Sequence, residues 1–93
     1  MDKLRKMELF CRVVELGSFV AVAKDQNVSP AIVGRHVSDL ESMLDLRLIR
    51  RTTRSMEITG AGRRYYDGCK ASLGQLAALE QEISTDVDDQ LSG

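Results

Sequence analysis

The sequence predicts a mainly α fold: three short helices, a two-stranded hairpin and a long final helix. Three observations predict it. Apolar residues recur at three- and four-residue steps through most of the chain. Residues that cap or break helices fall between those runs, as Gly17-Ser18, Asn27 and Ser29-Pro30. The helical period is lost only over residues 46–59. At 93 residues the chain has room for one domain.

Leu4, Met7, Phe10, Cys11, Val13 and Val14 keep to one side of a first helix, Leu4 to Leu16. Gly17 can take the left-handed conformation that ends it. Ser18 is a good N-cap for a short second helix, Phe19 to Gln26, with Phe19, Val22 and Ala23 inward. Asn27 tolerates positive φ and makes the break, and Val28 plugs the turn. Ser29-Pro30 opens the third helix: Ser caps the free N–H groups, and Pro at the first position loses nothing by lacking one. Val33, Val37, Leu40 and Leu44 form its buried stripe. Pro30, Ala31, Gly34, Arg35 and Ser38 lie on another face, and most are small where a solvated helix favours Lys and Glu. Such a face suits close approach to a partner.

Residues 46–59 read as a hairpin, with strands near Leu48–Arg50 and Met56–Ile58 and an Arg-bearing tip. Thr59 can cap the last helix, which is expected to run to about residue 85. On it Cys69, Leu76 and Ile83 repeat every seven residues, with Leu73 and Leu79 beside them. A helix of about 25 residues is ~38 Å long, longer than so small a core can cover. Its far half must bury that stripe on another chain or on a further domain. Gly68 and Gly74 weaken it intrinsically. The expected organisation is a head at 1–59, a linker or dimerisation helix at 60–85 and an acidic polar tail at 86–93.

Composition narrows the function. There is no Trp and only 4% aromatic residues, which argues against a stacking platform for single-stranded nucleic acid. No run approaches the roughly 18 apolar residues of a membrane span. Cys11 and Cys69 lie far apart and fit a reducing cytosol. With one His, they offer no metal spacing, and no cofactor motif is present. No base–nucleophile pair or phosphate loop points to an enzyme. The net charge of −1 hides an asymmetry: residues 1–66 carry +4 and residues 67–93 carry −5. Between Arg47 and Arg64 six arginines face one acid, Glu57. A basic stripe beside an acidic end is a molecule with one anion-facing surface.

Two short helices joined through Gln26-Asn27-Val28-Ser29, the second capped and longer, make a helix-turn-helix. The Arg-tipped hairpin makes it winged. An α-helix fits the major groove of a DNA duplex, and a guanidinium can bond guanine there or enter a narrow minor groove. A helical interaction module with an incidental Arg patch is the rival reading, and it predicts no duplex binding.

These residues resemble the N-terminal DNA-binding domain of LysR-type transcriptional regulators, from about Leu4 to Leu79. Phe10 to Phe19 resembles the family's first helix and its Gly-Ser-Phe junction. Ala21 to Ala23 and Val28-Ser29-Pro30 resemble its second helix and turn. Val33 to Val37 with Leu40-Glu41 resembles its recognition helix. Leu44 to Thr52 resembles the run into the wing, and Ile58-Thr59-Gly60-Ala61-Gly62 the start of the linker helix. The chain departs from the family's usual Ser at Gly34, small residue at Ile32, Gly at Asp45 and acid at Gly60. Another winged-helix regulator class, such as a molybdate-responsive type, is the nearer alternative.

The resemblance implies a bacterial, cytoplasmic regulator that binds double-stranded DNA at a pseudo-palindromic operator. It implies a homodimer through antiparallel linker helices, and higher oligomers of a full-length form. A small-molecule effector would bind only through a further domain, which would begin where this sequence stops, so the sequence is expected to be a fragment. Base contacts are expected from Pro30, Ala31, Gly34 and Arg35, with Arg35 as the bidentate donor. Phosphate or backbone contacts are expected from Ser18, Ser29, Ser38, Arg50, Arg51 and Thr53. Arg54 is expected at the minor groove. Dimerisation is expected through Cys69, Leu73, Leu76, Leu79 and Ile83. Each has a plainer reading: Ser18 and Ser29 as caps, Arg35 as a partner of Asp39, the hairpin arginines as solvated charge.

Overall fold

The computed structural model describes residues 2–52 and 55–92, with side chains through residue 85. The order is α1 (Lys3–Leu16), α2 (Phe19–Gln26), α3 (Pro30–Leu44), β1 (Ile49–Arg51), β2 (Met56–Ile58) and α4 (Gly60–Ser92).

Each head helix starts and stops where local chemistry requires. Asp2 caps α1 by accepting from the Arg5 N–H at 2.8 Å, Ser18 caps α2 through the Ala21 N–H at 3.2 Å, and Ser29 caps α3 through the Ile32 N–H at 3.3 Å. The three helices end on left-handed residues, Gly17 (φ 69°), Asn27 (φ 59°) and Asp45 (φ 55°). Asp45 thus takes the conformation that the family usually gives to Gly, as Asp can with its short polar side chain.

The core is one cluster. Phe10 and Val13 from α1, Val22 from α2, Val33, Val37 and Leu40 from α3, and Leu48 are fully buried. Each such side chain contributes about 1.5–3 kcal/mol. Leu4 and Val28, both expected inward, are exposed. Val28 serves the turn through its backbone, its N–H donating to the Ala23 carbonyl at 2.9 Å.

The hairpin is antiparallel, with Ile49 opposite Ile58, Arg50 opposite Glu57 and Arg51 opposite Met56. β1 begins one residue later than expected. The N–H groups of Leu48 and Ile49 both donate to Glu41 Oε2, at 2.8 and 3.2 Å. Glu41 therefore ties the start of the hairpin to α3. Thr59 ties the far end: its N–H donates to the Leu48 carbonyl at 3.0 Å, its hydroxyl donates to the Arg47 carbonyl at 2.6 Å, and its Oγ1 accepts from the Gly62 N–H at 2.9 Å. That last bond caps α4.

α4 continues to Ser92, beyond the expected end near residue 85. Residues 75–92 contain neither Gly nor Pro, so nothing in the sequence stops the helix where its acidic stretch begins. Its 33 residues span about 50 Å, and the molecule measures 59 × 27 × 20 Å. The first turns pack on α1 and β2. Glu15 of α1 anchors them, accepting from Tyr66 Oη at 2.9 Å and pairing with Lys70 Nζ at 3.0 Å. Arg12 links the same carboxylate, at 3.3 Å, to Asp25 of α2, at 3.4 Å.

Two predictions follow from this packing. A Cβ at Gly62 would lie 2.1 Å from the Leu48 carbonyl oxygen and 3.0 Å from Ile58 Cγ2. Backbone cannot yield there, so Gly62→Ala is expected to lose roughly 1–3 kcal/mol or more in urea unfolding; undiminished stability contradicts the close approach. Glu15 has its pKa lowered, chiefly by the Lys70 hydrogen bond; partial burial opposes this, and Tyr66 and Arg12 add to the lowering. A lowered folded pKa means stabilisation that is full above the ordinary value of 4.5 and is lost as pH falls through the folded one. Glu15→Gln is expected to be less stable at pH 7 and to lose less on acidification. Parallel acid limbs for the two proteins contradict this.

Candidate nucleic-acid interface

α3 crosses the head with its buried stripe against α1 and α2, which leaves the opposite face outward. That face carries Ala31, Arg35, Ser38 and Ser42, all exposed, with Pro30 at its front and Ile32 on its flank. Arg35 stands at its centre. No hydrogen bond or ion pair holds its guanidinium among the described residues. Asp39, the alternative partner four residues on, turns instead to Lys6 Nζ at 3.8 Å. Ser29 is exposed at the front of α3, whereas Ser18 is half-buried at the front of α2.

Gly34 does not belong to this face. It is buried, and the position of its missing Cβ looks at Arg51, 3.1 Å from Nη1. On a 3.6-residue helix Gly34 falls on the flank toward the wing, about 100° from Arg35. It therefore presents no surface for base contact, contrary to expectation. Arg51 fills the gap: Nη2 donates to the Gly34 carbonyl at 3.1 Å and to Ser38 Oγ at 3.3 Å. Its Cζ lies 4.5 Å from the centre of the Phe19 ring.

The neighbouring wing cations are less engaged. Arg50 is mostly exposed and sits 3.9 Å from Glu57 across the hairpin. Thr52 and Ser55 close the turn, with the Thr52 N–H donating to the Ser55 carbonyl at 2.8 Å. Thr53 and Arg54, expected to touch phosphate and minor groove, lie outside the described residues. The cleft between α3 and the wing mixes Arg47 and Arg51 with Glu41 and Asp45. Opposed charges of this kind do not make a dedicated pocket for a small anion.

The expected dimerisation stripe divides in two. Cys69 is buried within this chain, against Cys11 of α1, so it offers nothing to a second copy. Burial, and then the neighbouring Cys69 thiol, push the Cys11 pKa up to about 12, and burial raises that of Cys69. Both are inert at neutral pH. Leu73 is half-buried beside Leu9 and Cys11. Beyond it Leu76, Leu79 and Ile83 are 41, 50 and 53% exposed. The heptad pattern shows which side chains share a face, but it cannot show where the head's cover ends.

Two residues of structural weight were not singled out from sequence for the roles they take. Glu41 pins the wing and Glu15 anchors α4, each by accepting from groups seven or more residues away. No local pattern marks such a carboxylate. No group of three His, Cys, Asp or Glu is placed to hold a metal among the described residues, and no described helix is long and apolar enough to cross a membrane.

Residues 4–63 match the family described as bacterial regulatory helix-turn-helix protein, lysR family. The HTH-type transcriptional activator AaeR of Escherichia coli K12 is 39% identical over 83 residues, covering 89% of this chain and 27% of AaeR. The chain thus spans about a quarter of that relative's length. Among solved structures, the full-length virulence activator AphB of Vibrio cholerae superposes with a TM-score of 0.75 at 37% identity, over 89% of this chain and 28% of AphB. Full-length CbnR in complex with its target DNA superposes at 0.77 and 30% identity, over 91% of this chain and 29% of CbnR. The match covers the three head helices, the hairpin and the start of α4, and the chain belongs to the lysR family of bacterial regulatory helix-turn-helix proteins.

Proposed function

We propose that this chain binds duplex DNA sequence-specifically, with the outward face of α3 in the major groove and the hairpin alongside at the minor groove. One observation carries the reading: Arg35, without a hydrogen-bond or ion-pair partner among the described residues, stands on a helix face otherwise made of short side chains, Ala31, Ser38 and Ser42. Short neighbours let the helix sink between the strands, and the guanidinium can then give two bonds to guanine O6 and N7. Pro30 and Ala31 at the front supply apolar contact for thymine methyl groups. The capped start of α3 at Ser29 directs free N–H groups at the phosphates. Arg50 adds charge on the wing side, and Arg54, expected there from the sequence, would add more. Similarity to CbnR, solved with its target DNA, supports duplex binding.

Leu76, Leu79 and Ile83 give a second copy an apolar seam, and two such helices packed antiparallel make a homodimer. A two-fold dimer sets two α3 helices about one DNA turn apart on a pseudo-palindromic site. Such a protein works in the bacterial cytoplasm.

Selection from random duplexes tests the reading. The expected product is a two-fold symmetric motif, and enrichment of no sequence rejects specific binding. With roughly 4 phosphates neutralised per protomer, the dimer's affinity is expected to fall with salt at a log–log slope near −7. Arg35→Ala is expected to cost about 1–3 kcal/mol at one base pair per half-site and to relax preference there. Unchanged preference in a binding titration removes Arg35 from the base contacts.

A further inference from the structure

We infer that Arg51 governs DNA discrimination by holding the protein's own elements in place: exposed itself but seated in the space that Gly34 leaves open, it locks the far end of β1 to the middle of α3. The inference rests on the DNA-binding reading of α3 and deepens it.

Arg51 and Arg50 are adjacent on the same short strand and both are exposed, yet their contacts differ. Arg50 points away, two-thirds exposed, with one long cross-strand ion pair at 3.9 Å. Arg51 reaches back over α3. Nη2 is committed to two acceptors on that helix, the Gly34 carbonyl and Ser38 Oγ. The planar group lies over Phe19 at the start of α2. One cation therefore joins α2, α3 and β1. A planar fork can bond two acceptors and stack on a ring at once, which an ammonium on a flexible stem cannot do.

The seat exists because residue 34 has no side chain. A built Cβ falls 3.1 Å from Nη1 and 3.7 Å from Cζ. A methyl there needs a few tenths of an ångström from a flexible group, whereas a leucine fills the seat and evicts the guanidinium. β1 is thus clamped at both ends: Glu41 holds Leu48 and Ile49, and Arg51 holds the other end. The second clamp sets the angle between the wing and the outward face of α3. It also engages the Ser38 hydroxyl, which lies on that face. Phosphate attraction needs only charge, but reading bases needs α3 and the wing in one fixed relation. Arg51 is in this view a positioning residue and not a phosphate contact.

The test uses the folded chain, with folding of each variant checked by circular dichroism. Binding is titrated against a selected duplex and a scrambled duplex of equal length across a range of KCl. Arg51→Lys keeps the charge and loses the fork. Arg51→Lys and Arg51→Ala are each expected to lower the ratio of selected to scrambled affinity by about tenfold, the scale of one charge-assisted hydrogen bond, with the scrambled affinity and the salt slope unchanged. Gly34→Leu, with Arg51 present, is expected to show the same loss, and Gly34→Leu/Arg51→Lys no more than either alone. A slope for Arg51→Ala shallower by about 1 per protomer with the ratio intact makes Arg51 a phosphate contact and overturns the inference. An unchanged ratio overturns it too. A DNA-free readout separates this from the parent reading. Nitrogen NMR is expected to show hindered rotation of the Arg51 guanidinium in the wild type and free rotation in Gly34→Leu. Free rotation in the wild type rejects the lock, whatever the duplexes show. Hindered rotation in a protein that binds no duplex rejects the DNA-binding reading and, with it, the role in discrimination.

Discussion

The peptide group and side chain of Leu48 are the junction on which the rest of the molecule depends. The side chain is fully buried in the head core. Its N–H is taken by the Glu41 carboxylate at the end of α3. Its carbonyl is taken by Thr59 at the start of α4, and Gly62 packs so closely on that oxygen that no Cβ fits. A single residue thereby fixes the helix that faces outward, the hairpin beside it and the direction in which the long helix departs. A buried backbone N–H or carbonyl with no partner costs about 1–3 kcal/mol; at Leu48 both are bonded and the cost is avoided.

From that junction the molecule separates two surfaces that a 10.3 kDa chain could not otherwise keep apart. The head presents α3 and the arginines of the hairpin. α4 carries the acidic residues and the exposed leucines away from it. The Glu15, Lys70 and Tyr66 contacts hold the first turns of α4 against α1, and past Leu73 the helix has no head to lean on. Most helical stability comes from packing of an amphipathic face rather than from propensity, and Gly68 and Gly74 lower the propensity of this helix further. Leu76, Leu79 and Ile83 are exposed on that stretch, and they are the residues that the proposed second copy would cover.

Neighbouring arginines on the hairpin illustrate how little composition says about role. Arg50 and Arg51 belong to the same basic stretch, and by charge alone both suit phosphate. The strand alternates its side chains between two faces, so one stands clear of α3 and the other lies over it, although both are exposed. Only there does the absence of a side chain at residue 34 acquire a purpose.

What was legible in the sequence is what short-range physics decides. Caps at Ser18, Ser29 and Thr59, left-handed stops at Gly17 and Asn27, and the apolar period of α1 and α3 each act within a turn or two, so four helices and a hairpin can be read from residue order. The resemblance to LysR-type regulators rested on the same local signals and agrees with the family match over residues 4–63. Tertiary structure alone decided the rest. It buried Gly34 and Cys69, laid Arg51 across α3, began β1 at Ile49 and made anchors of Glu15 and Glu41. All of these depend on contacts between residues far apart in the chain, where periodicity places a side chain on a face but cannot say what stands opposite.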